Sequence, residues 1–296
     1  MATIIEKTKK KGKAGADPNG VTICDLNEEA KRAGKVAALR ELSEAISEAT
    51  EREQSKDMVI CLCATRNMYP QLQQSITMLL NTQPNLKKIY AFVEDDMGVS
   101  NNVEFINVSN YEPIIMNEAN KNNKWTYMIL TRCYFTNLLP AEDKVLYLDL
   151  DIMIEKDIAE LWRTDVEGYA AAGVIDTNVR LFTMPYIQDK SVYVNSGVLL
   201  MNLKYIREHA LDREMDKLLN SYTLMFPDQD VINIVCFGKI KCMDPKWNSG
   251  GVTSVAEDPM IHHLVAVKPW DPMSAWFPKW ASTYIATGAK TSVAVI

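Results

Sequence analysis

Two continuous apolar runs place the strongest limits on what this chain can fold into. MVICLCAT (58–65) and VLYL (145–148) contain no charged residue. Strands buried on both faces of a parallel sheet have this composition, because helices cover both sides. Helical patterns such as YPQLQQSITMLLNTQ (69–83) alternate with these runs. The alternation predicts an α/β fold, with a mixed, mostly parallel sheet flanked by helices in Rossmann-like order and ligands at the carboxyl ends of the strands.

The other elements are predicted from the same periodicities. Strands are expected at 88–95, 105–110, 144–154, 168–176, 193–203 and 259–267, and helices at 125–140 and near 203–220. In this scheme KVLYLDLDIMI (144–154) is one uninterrupted strand.

Composition narrows the function classes. A net charge of -6 and a pI near 5.3 argue against nucleic acid or an anionic membrane as the main partner. No apolar run reaches the roughly 18 residues of a transmembrane helix, and no apolar segment follows the amino-terminal lysines as in a signal peptide. The six cysteines form no CxxC pair, which indicates free thiols in a reducing compartment. We therefore expect a cytoplasmic protein without a transmembrane segment.

The chain is predicted to have four parts. Residues 1–24 are a disordered basic tail, rich in lysine and glycine. Residues 25–56 form a helical extension whose apolar stripe could contact a second copy in a homo-oligomer. Residues 57–285 form the α/β domain, and residues 286–296 are a carboxyl-terminal tail.

Two carboxylates stand at the end of a buried strand. Asp149 and Asp151 follow VLYL, and Leu150 between them is expected to point the other way. Such a pair can bind one hard cation, Mg²⁺ or Mn²⁺. The DxD pattern alone is weak, because 228–230 and the acidic run 94–96 resemble it.

Two enzyme classes place Asp-x-Asp at a strand end. Phosphatases of the haloacid-dehalogenase type use the pair for nucleophilic and acid catalysis, normally on the first strand of the domain. Nucleotide-sugar transferases use it to hold a metal against the diphosphate of the donor. At least two strands precede Asp149, so its position favours the transferase.

Four sequence blocks together carry a family resemblance. They occur in the order 131–162, 193–208, 226–248 and 260–270, and include VLYLDLDIMI, YVNSGVLLMNL, FPDQDVINIV with DPKWN, and MIHHLVAVKPW. The chain from about Met58 to Trp270 resembles glycosyltransferase family 8, which includes glycogenin and bacterial lipopolysaccharide galactosyl- and glucosyltransferases. The resemblance implies a GT-A fold and a retaining transferase that uses a UDP-hexose and Mn²⁺ (or Mg²⁺).

The resemblance also implies a role for particular residues. The metal ligands would be Asp149, Asp151 and His262, the last chosen because it stands six residues before Lys268. Without the resemblance, either histidine at 262–263 would be read as a core residue. The donor-binding residues would be Ala64, Thr65, Asn67 and Tyr69 for uridine, Leu150, Arg132 and Lys268 near the diphosphate, and Asn195 and Ser196 for the sugar.

The catalytic residues implied by the resemblance are Asp176, Asp228 and Gln229. The run 228–230 as a whole matches positions that face the donor sugar and the acceptor. Gln229 stands where a retaining enzyme would place a nucleophile, and an amide is a poor one. This favours either front-face attack or a nucleophile elsewhere. Val265 departs from the family's usual glycine in HxxGxxKPW.

Several alternatives stay open at this point. Arg132 could equally be a surface cation on a helix. The chain could be a phosphatase of the haloacid-dehalogenase type, or a transferase-derived scaffold that binds nucleotide without turnover. The donor sugar could be glucose or galactose, and the acceptor a glycan, a lipid-linked glycan or a protein hydroxyl.

Overall fold

The fold is that of a computed structural model of the chain. The chain divides into two compact units, residues 1–50 and 51–296, and the described strands all lie in the second. The predicted tail, the predicted extension and the last residues lie almost wholly outside the described part, so the domain boundaries stay predictions. The structure describes residues 57–83, 86–100, 102–122, 126–182 and 184–287, together with Gly34, Ala37 and Arg40.

A mixed eight-stranded sheet forms the centre of this unit, in the order β3-β4-β2-β1-β5-β8-β7-β9. All its strands run in one direction except β3 and β8. A separate two-stranded sheet pairs β6 with β10. The strands are β1 Val59–Cys63, β2 Lys88–Val93, β3 Val99–Ser100, β4 Val103–Asn107, β5 Lys144–Leu148, β6 Ile152–Ile154, β7 Ala171–Ile175, β8 Val194–Asn202, β9 Ile240–Cys242 and β10 Ile261–His263.

Helices flank the sheet, and the first shows why they form there. A proline in its first turn suits a helix start, because the proline lacks an N–H that would have no intrahelical acceptor at that position. Leu72 and Leu79 of this helix are buried in the core. The α-helices are α1 Tyr69–Thr82, α2 Glu118–Lys121, α3 Phe135–Leu138, α4 Ala159–Trp162, α5 Leu203–Glu208, α6 Leu211–Ser221, α7 Pro227–Val235 and α8 Phe277–Thr287.

The predicted single strand at 144–154 is wrong, because the chain turns in its middle. Strand β5 ends at Leu148, and β6 begins at Ile152 in the other sheet. Asp149 and Asp151 therefore lie in the connection between the two sheets, at the carboxyl end of β5. The main-chain N–H of Asp149 donates to the carbonyl of Gly197 in β8 at 2.8 Å.

Two predicted helices also differ in form. The segment near 203–220 is two helices, α5 and α6, separated at Ala210, whose φ of 52° lies in the left-handed region. The segment 125–140 is mostly a 3₁₀ helix, Tyr127–Tyr134, continued by α3. In both cases the apolar periodicity is right, but a local change of backbone conformation interrupts the α-helix.

The core and the cysteines agree with the composition. Strands β1, β5 and β8 contribute almost entirely buried side chains, as continuous apolar runs predict. The five cysteines in the described part of the chain are free thiols, and four of them are buried. Among the described helices, none combines the length and the apolar character needed to cross a bilayer.

Candidate active site

Three side chains that are typical metal ligands meet where β5 ends. Asp149, Asp151 and His263 each offer one ligand atom, and these atoms lie within 4.8 Å of one another. Nε2 of His263 is 3.2 Å from Oδ1 of Asp151 and 3.8 Å from Oδ2 of Asp149. Asp149 is the more open of the two carboxylates, while Asp151 and His263 are buried. Two carboxylates and an imidazole form a set that Mn²⁺ or Mg²⁺ can accept.

The histidine chosen from the sequence does not lie in this group. Both histidines belong to strand β10, where neighbouring side chains point to opposite faces. His263 faces the aspartates, and His262 packs against Trp276 with ring centroids 4.4 Å apart. Burial, followed by the charge of Lys156, lowers the pKa of His262. The structure therefore puts His263 in the place expected for His262, because a one-residue shift on a strand reverses the side chain.

The same one-residue shift changes which residue between His263 and Lys268 corresponds to the family glycine. Counted back from Lys268, the family glycine falls at Val265; counted forward from His263, it falls at Ala266. The segment between the two is therefore one residue shorter than HxxGxxK. Val265 contacts the loop at Gly251, where an added Cβ would be 3.0 Å from the Cβ of the valine.

Because Gly197 has no side chain, it leaves room for the candidate metal ligands Asp149 and His263 to approach each other. A Cβ at this position would lie 2.2 Å from Cε1 of His263, 2.8 Å from Oδ2 of Asp149 and 2.9 Å from Nε2 of His263. Cβ atoms do not approach other atoms so closely in proteins. The glycine is required here because a side chain would fill the space between the ligand atoms.

Neighbouring groups occupy the other atom of each ligand. Oδ1 of Asp149 accepts from the Tyr147 hydroxyl at 2.5 Å and from Arg132 at 3.0 Å. Oδ2 of Asp151 accepts from Lys268 at 2.5 Å. Nδ1 of His263 lies 2.8 Å from the side-chain oxygen of Asn248. Such contacts orient ligands, and they leave Oδ2 of Asp149, Oδ1 of Asp151 and Nε2 of His263 facing one another.

These contacts set the direction in which the pKa values of the buried Asp151 and His263 are shifted. Burial alone would raise the pKa of Asp151, but hydrogen bonds and charges from His263 and Lys268 hold it well below its usual range. Burial alone would lower the pKa of His263, but Asp151 and Asp149 raise it. Each partner therefore favours the charged form of the other.

Arg132 is buried, which rules out its interpretation as a surface cation. Its side chain is 2 % exposed. The guanidinium donates to the carbonyl of Ser196 at 2.7 Å and lies 3.2 Å from Oδ2 of Asp228. It also stacks on the ring of Tyr147 at 3.8 Å. Arg132 thus joins the Asp149 side of the group to Asp228 on helix α7, and a planar fork with several donors suits this position.

The side chain of Gln229 lies at the centre of the residues predicted to handle the sugar. Its Oε1 accepts from the N–H of Ser196 at 2.9 Å and from Nδ2 of Asn195 at 3.0 Å. Its Nε2 donates to Oδ2 of Asp176 at 3.1 Å. Because a main-chain N–H can only donate, these partners determine which end of the amide is the oxygen. The structure brings all four residues together.

Asp228 and Asp176 are buried on either side of Gln229. Oδ2 of Asp228 accepts from the Ser196 hydroxyl at 2.8 Å. Burial raises the pKa of Asp228 despite the charge of Arg132, and burial likewise raises that of Asp176. The second acidic residue of the run 228–230, Asp230, is fully buried and bonds to neither Gln229 nor Asn195, so it does not face the group as the resemblance implied.

The residues predicted to bind uridine lie where β1 ends. The hydroxyl of Thr65 donates to Oδ1 of Asn67 at 2.5 Å, and Ala64 is buried beside them. The Tyr69 hydroxyl donates to Oδ2 of Asp95 at 3.0 Å and accepts from the N–H of Glu94. The end of β2 thus lies against the end of β1, as the pairing of these strands requires.

Several residues of the site escaped the sequence reasoning. Arg66 pairs with Asp95 through two hydrogen bonds, at 2.6 and 2.9 Å, beside the predicted uridine residues. Tyr147 and Asn248 orient the ligands, and both lie within the quoted blocks. In the sequence, the acidic run at 94–96 only resembles the DxD pattern. Only the pairing of β1 with β2 reveals its place beside Tyr69.

A protein-family model decides the classification. The model described as glycosyl transferase family 8 matches residues 99–274, which is more than half of the chain. The chain belongs to glycosyltransferase family 8. The match contains the metal-ligand candidates and the group around Gln229, and it supports a transferase in place of the phosphatase considered above.

Curated relatives of this family 8 chain include glycosyltransferases, although they match it only in part. A putative glycosyltransferase of Haemophilus influenzae is 28% identical over 123 residues, which are 40% of this chain and 37% of the relative. A lipopolysaccharide 1,2-glucosyltransferase of Escherichia coli is 27% identical over 179 residues, 53% and 51% of the two chains. The chain therefore spans about a third to a half of the length of these relatives.

Solved structures show the same fold. The galactosyltransferase LgtC, in complex with donor and acceptor sugar analogues, superimposes with a TM-score of 0.66 at 19% identity and covers 77% of this chain and 96% of its own. The glycosyltransferase GlyE of Streptococcus pneumoniae gives a TM-score of 0.58 at 18% identity, covering 77% and 61%. The sheet described above is that of a GT-A fold, as predicted.

Proposed function

We propose that this family 8 member is a retaining hexosyltransferase that moves glucose or galactose from a UDP-sugar to an acceptor hydroxyl, with a divalent metal on the diphosphate. The observation that carries the proposal is the convergence of Asp149, Asp151 and His263 beside Gly197. Family membership supports the transfer of a sugar. The donor, the metal and the stereochemistry belong to the proposal.

The residues present fit a divalent cation. Oδ2 of Asp149 and Nε2 of His263 border the space that a side chain at residue 197 would fill, and Oδ1 of Asp151 lies 3.2 Å from the same Nε2. The second oxygen of each carboxylate and Nδ1 of His263 contact neighbouring side chains, which orient the ligands as they do in known metal sites. When bound, Mn²⁺ or Mg²⁺ would act as a Lewis acid that stabilises the charge developing on the departing diphosphate.

Lys268 would contact the diphosphate from the other side. In the structure its ammonium is held by Oδ2 of Asp151 at 2.5 Å, and the residue is about a third exposed. The ammonium of Lys268 therefore lies at the exposed side of the three candidate metal ligands, where a phosphate oxygen of the donor can reach it. Arg132 is buried behind Asp149, so it would position this carboxylate without touching a phosphate.

The uridine would bind at the ends of β1 and β2. Thr65, Asn67 and the ring of Tyr69 offer hydrogen-bonding groups and an aromatic face for the base and ribose. Hydrogen bonds to Asp95 and to the N–H of Glu94 fix the tyrosine. This pre-organisation would reduce the entropy lost when a nucleotide binds.

The sugar would bind among Asn195, Asp176, Asp228 and Gln229. Three neighbours, Asn195, Ser196 and Asp176, already bond to the amide of Gln229 and hold it in one orientation beside the sugar. An amide held in this way orients the donor and does not attack it. Retention of configuration would then arise in one of two ways. The acceptor hydroxyl would attack the sugar on the face from which the diphosphate departs, or a carboxylate would act as the nucleophile in place of the amide.

The test combines binding with turnover. We expect the wild-type protein to bind Mn²⁺ together with UDP and to release UDP slowly from one UDP-hexose without an acceptor. Asp151→Asn removes a ligand charge with little change in volume, so it should lose both Mn²⁺ binding and release. Asp157→Asn is the matched control, since Asp157 follows β6 in the chain and caps the N–H of Ala159. Full activity of Asp151→Asn would refute the metal assignment, and nucleotide binding without turnover by the wild type would favour a scaffold.

A further inference from the structure

Asp230 is a buried carboxylate for which the proposed reaction has no direct use. It is 0 % exposed, although it stands in the first turn of helix α7, next to Gln229. Its Oδ1 accepts from the Tyr193 hydroxyl at 2.5 Å, and its Oδ2 accepts from the Tyr186 hydroxyl at 2.9 Å. Burial raises the pKa of this carboxyl group despite these bonds. Such a costly group needs a compensating role.

The same carboxylate also holds the turn before helix α7. Oδ2 accepts from the N–H of Met225 at 3.1 Å and from the N–H of Phe226 at 3.0 Å. Asp230 therefore ties together three parts of the chain: helix α7, residues 225–226 and the segment that contains both tyrosines. We call the segment 177–193 the wall segment.

Both ends of the wall segment adjoin the sugar-handling group. The segment begins after Asp176, whose Oδ1 accepts from the N–H groups of Asn178 and Val179 at 2.9 and 3.1 Å. It ends at Tyr193, whose carbonyl accepts from the N–H of Asp176 at 2.9 Å. Asn195 follows two residues later. The segment thus leaves the sheet after Asp176 and rejoins it just before Asn195, two of the residues that hold the Gln229 amide.

A small apolar cluster packs inside the wall segment. Val179, Met184 and Tyr193 are buried together, and Phe226 packs against them. Phe226 also contacts Phe182 edge-to-face at 5.2 Å. This cluster is separate from the main core. Because little apolar surface holds the segment, hydrogen bonds contribute to its position: Thr177 and Asn178 bond to the carbonyls of residues 251–252 at its start, and the two tyrosines bond to Asp230.

We propose that Asp230 is a positioning residue that fixes the wall segment against helix α7 and so keeps Asp176 and Asn195 in place around Gln229. The inference rests on the proposed function, and it adds a residue that acts without touching the sugar. Both oxygens of Asp230 are already occupied, and the residue has no exposed surface. It is therefore unavailable as the nucleophile of a retaining reaction.

The experiment replaces the carboxylate with its closest neutral analogue. Asp230→Asn keeps the shape but turns one oxygen into a donor, so the side chain can no longer accept both from Tyr193 and from the group formed by Tyr186 and the two N–H groups. We expect UDP affinity within about twofold of wild type and kcat for UDP-sugar turnover lower by about 100-fold, because a small displacement of a positioning group has this effect. We also expect faster proteolytic cleavage within 177–193.

Two comparisons separate positioning from other roles. Tyr193→Phe removes one bond to Asp230, so it should lower kcat in the wild-type background and have little effect in Asp230→Asn. Asp189→Asn is the matched control, since Asp189 lies in the wall segment and caps the N–H of Ser191. The control should keep wild-type kcat and wild-type cleavage.

The outcomes are distinct. Wild-type kcat with wild-type cleavage in Asp230→Asn overturns the inference. Formation of a glycosyl azide when azide is added to Asp230→Ala also overturns it. Azide can replace a missing nucleophile, but it cannot restore the hydrogen bonds that hold the wall segment against helix α7. If the wild type itself releases no UDP, the proposed function fails. Faster cleavage of Asp230→Asn and of Tyr193→Phe would still test whether Asp230 fixes the wall segment against helix α7.

Discussion

Gly197 and His263 are so close that a Cβ on the glycine would lie 2.2 Å from Cε1 of the imidazole. No flexible side-chain end could move aside, because the histidine is fixed by Asn248 and by its place in β10. The smallest side chain at residue 197 therefore has to displace a candidate metal ligand. The glycine of the NSG sequence at 195–197 is explained by this contact.

Gly197→Ala should accordingly lose metal binding. We expect a loss of about 1–3 kcal/mol in the free energy of unfolding from overpacking, and a 10- to 100-fold loss of Mn²⁺ affinity from the displaced ligand. Mn²⁺ titration and denaturant unfolding measure the two effects. Gly34→Ala is the control, since a Cβ there meets no atom within 4 Å. Wild-type Mn²⁺ affinity in Gly197→Ala would contradict the site geometry.

The two adjacent histidines give a second test. His263→Ala should lower Mn²⁺ affinity and UDP release at least 10-fold, because it removes a ligand that lies 3.2 Å from Asp151. His262→Ala loses only packing against Trp276 and should keep the metal affinity. Parallel Mn²⁺ titrations compare the variants. The reverse order of effects would restore the histidine that the sequence pattern favoured.

Arg132 gives a prediction about stability. Arg132→Met leaves Asp228 buried without its cation, and breaking a buried ion pair typically costs about 3–5 kcal/mol. Adding Asp228→Asn should recover part of this loss, since the uncompensated charge is then gone. Denaturant unfolding of the single and double variants measures both effects.

The control for Arg132 is an exposed arginine with a similar partner. Arg66 pairs with Asp95, but its side chain is 69% exposed. Arg66→Met should therefore leave the free energy of unfolding close to the wild-type value. Equal losses in the two arginine variants would mean that burial does not set the value of the Arg132 pairs.

The uridine assignment can be tested at a single hydroxyl. Tyr69→Phe keeps the ring but loses the bonds to Asp95 and to the N–H of Glu94. We expect UDP affinity to fall by about fivefold to tenfold, near the net value of one hydrogen bond, with Mn²⁺ binding unchanged. Calorimetric titration with UDP measures the change. An unchanged UDP affinity would place the nucleotide elsewhere.

The fold could be predicted from the sequence because its strongest signals are local. Continuous apolar runs identify β1 and β5 as buried strands, and α1 carries its own periodicity and starting proline. The break at 149–151 could not be predicted in this way. Apolar residues continue on both sides of it, and only the pairing of β6 with β10 shows that the chain has changed sheets.

The site was predictable in its residue types and less so in its register. Asp149 and Asp151 follow from a strand that ends in carboxylates. His263 required a count across a loop one residue shorter than the family pattern, and on a strand that error reverses the face. Arg132 and Asp95 depended on long-range pairing: one is buried between two carboxylates, and the other is held by the end of a neighbouring strand.

The most direct test of the central claim is UDP release from a panel of UDP-sugars, with Mn²⁺ or with EDTA and without an acceptor. The account predicts slow release from one UDP-hexose in Mn²⁺, none in EDTA, and none from Asp151→Asn in either condition. Release that persists in EDTA would contradict the role of Asp149, Asp151 and His263. The absence both of release and of UDP binding would contradict the proposed donor.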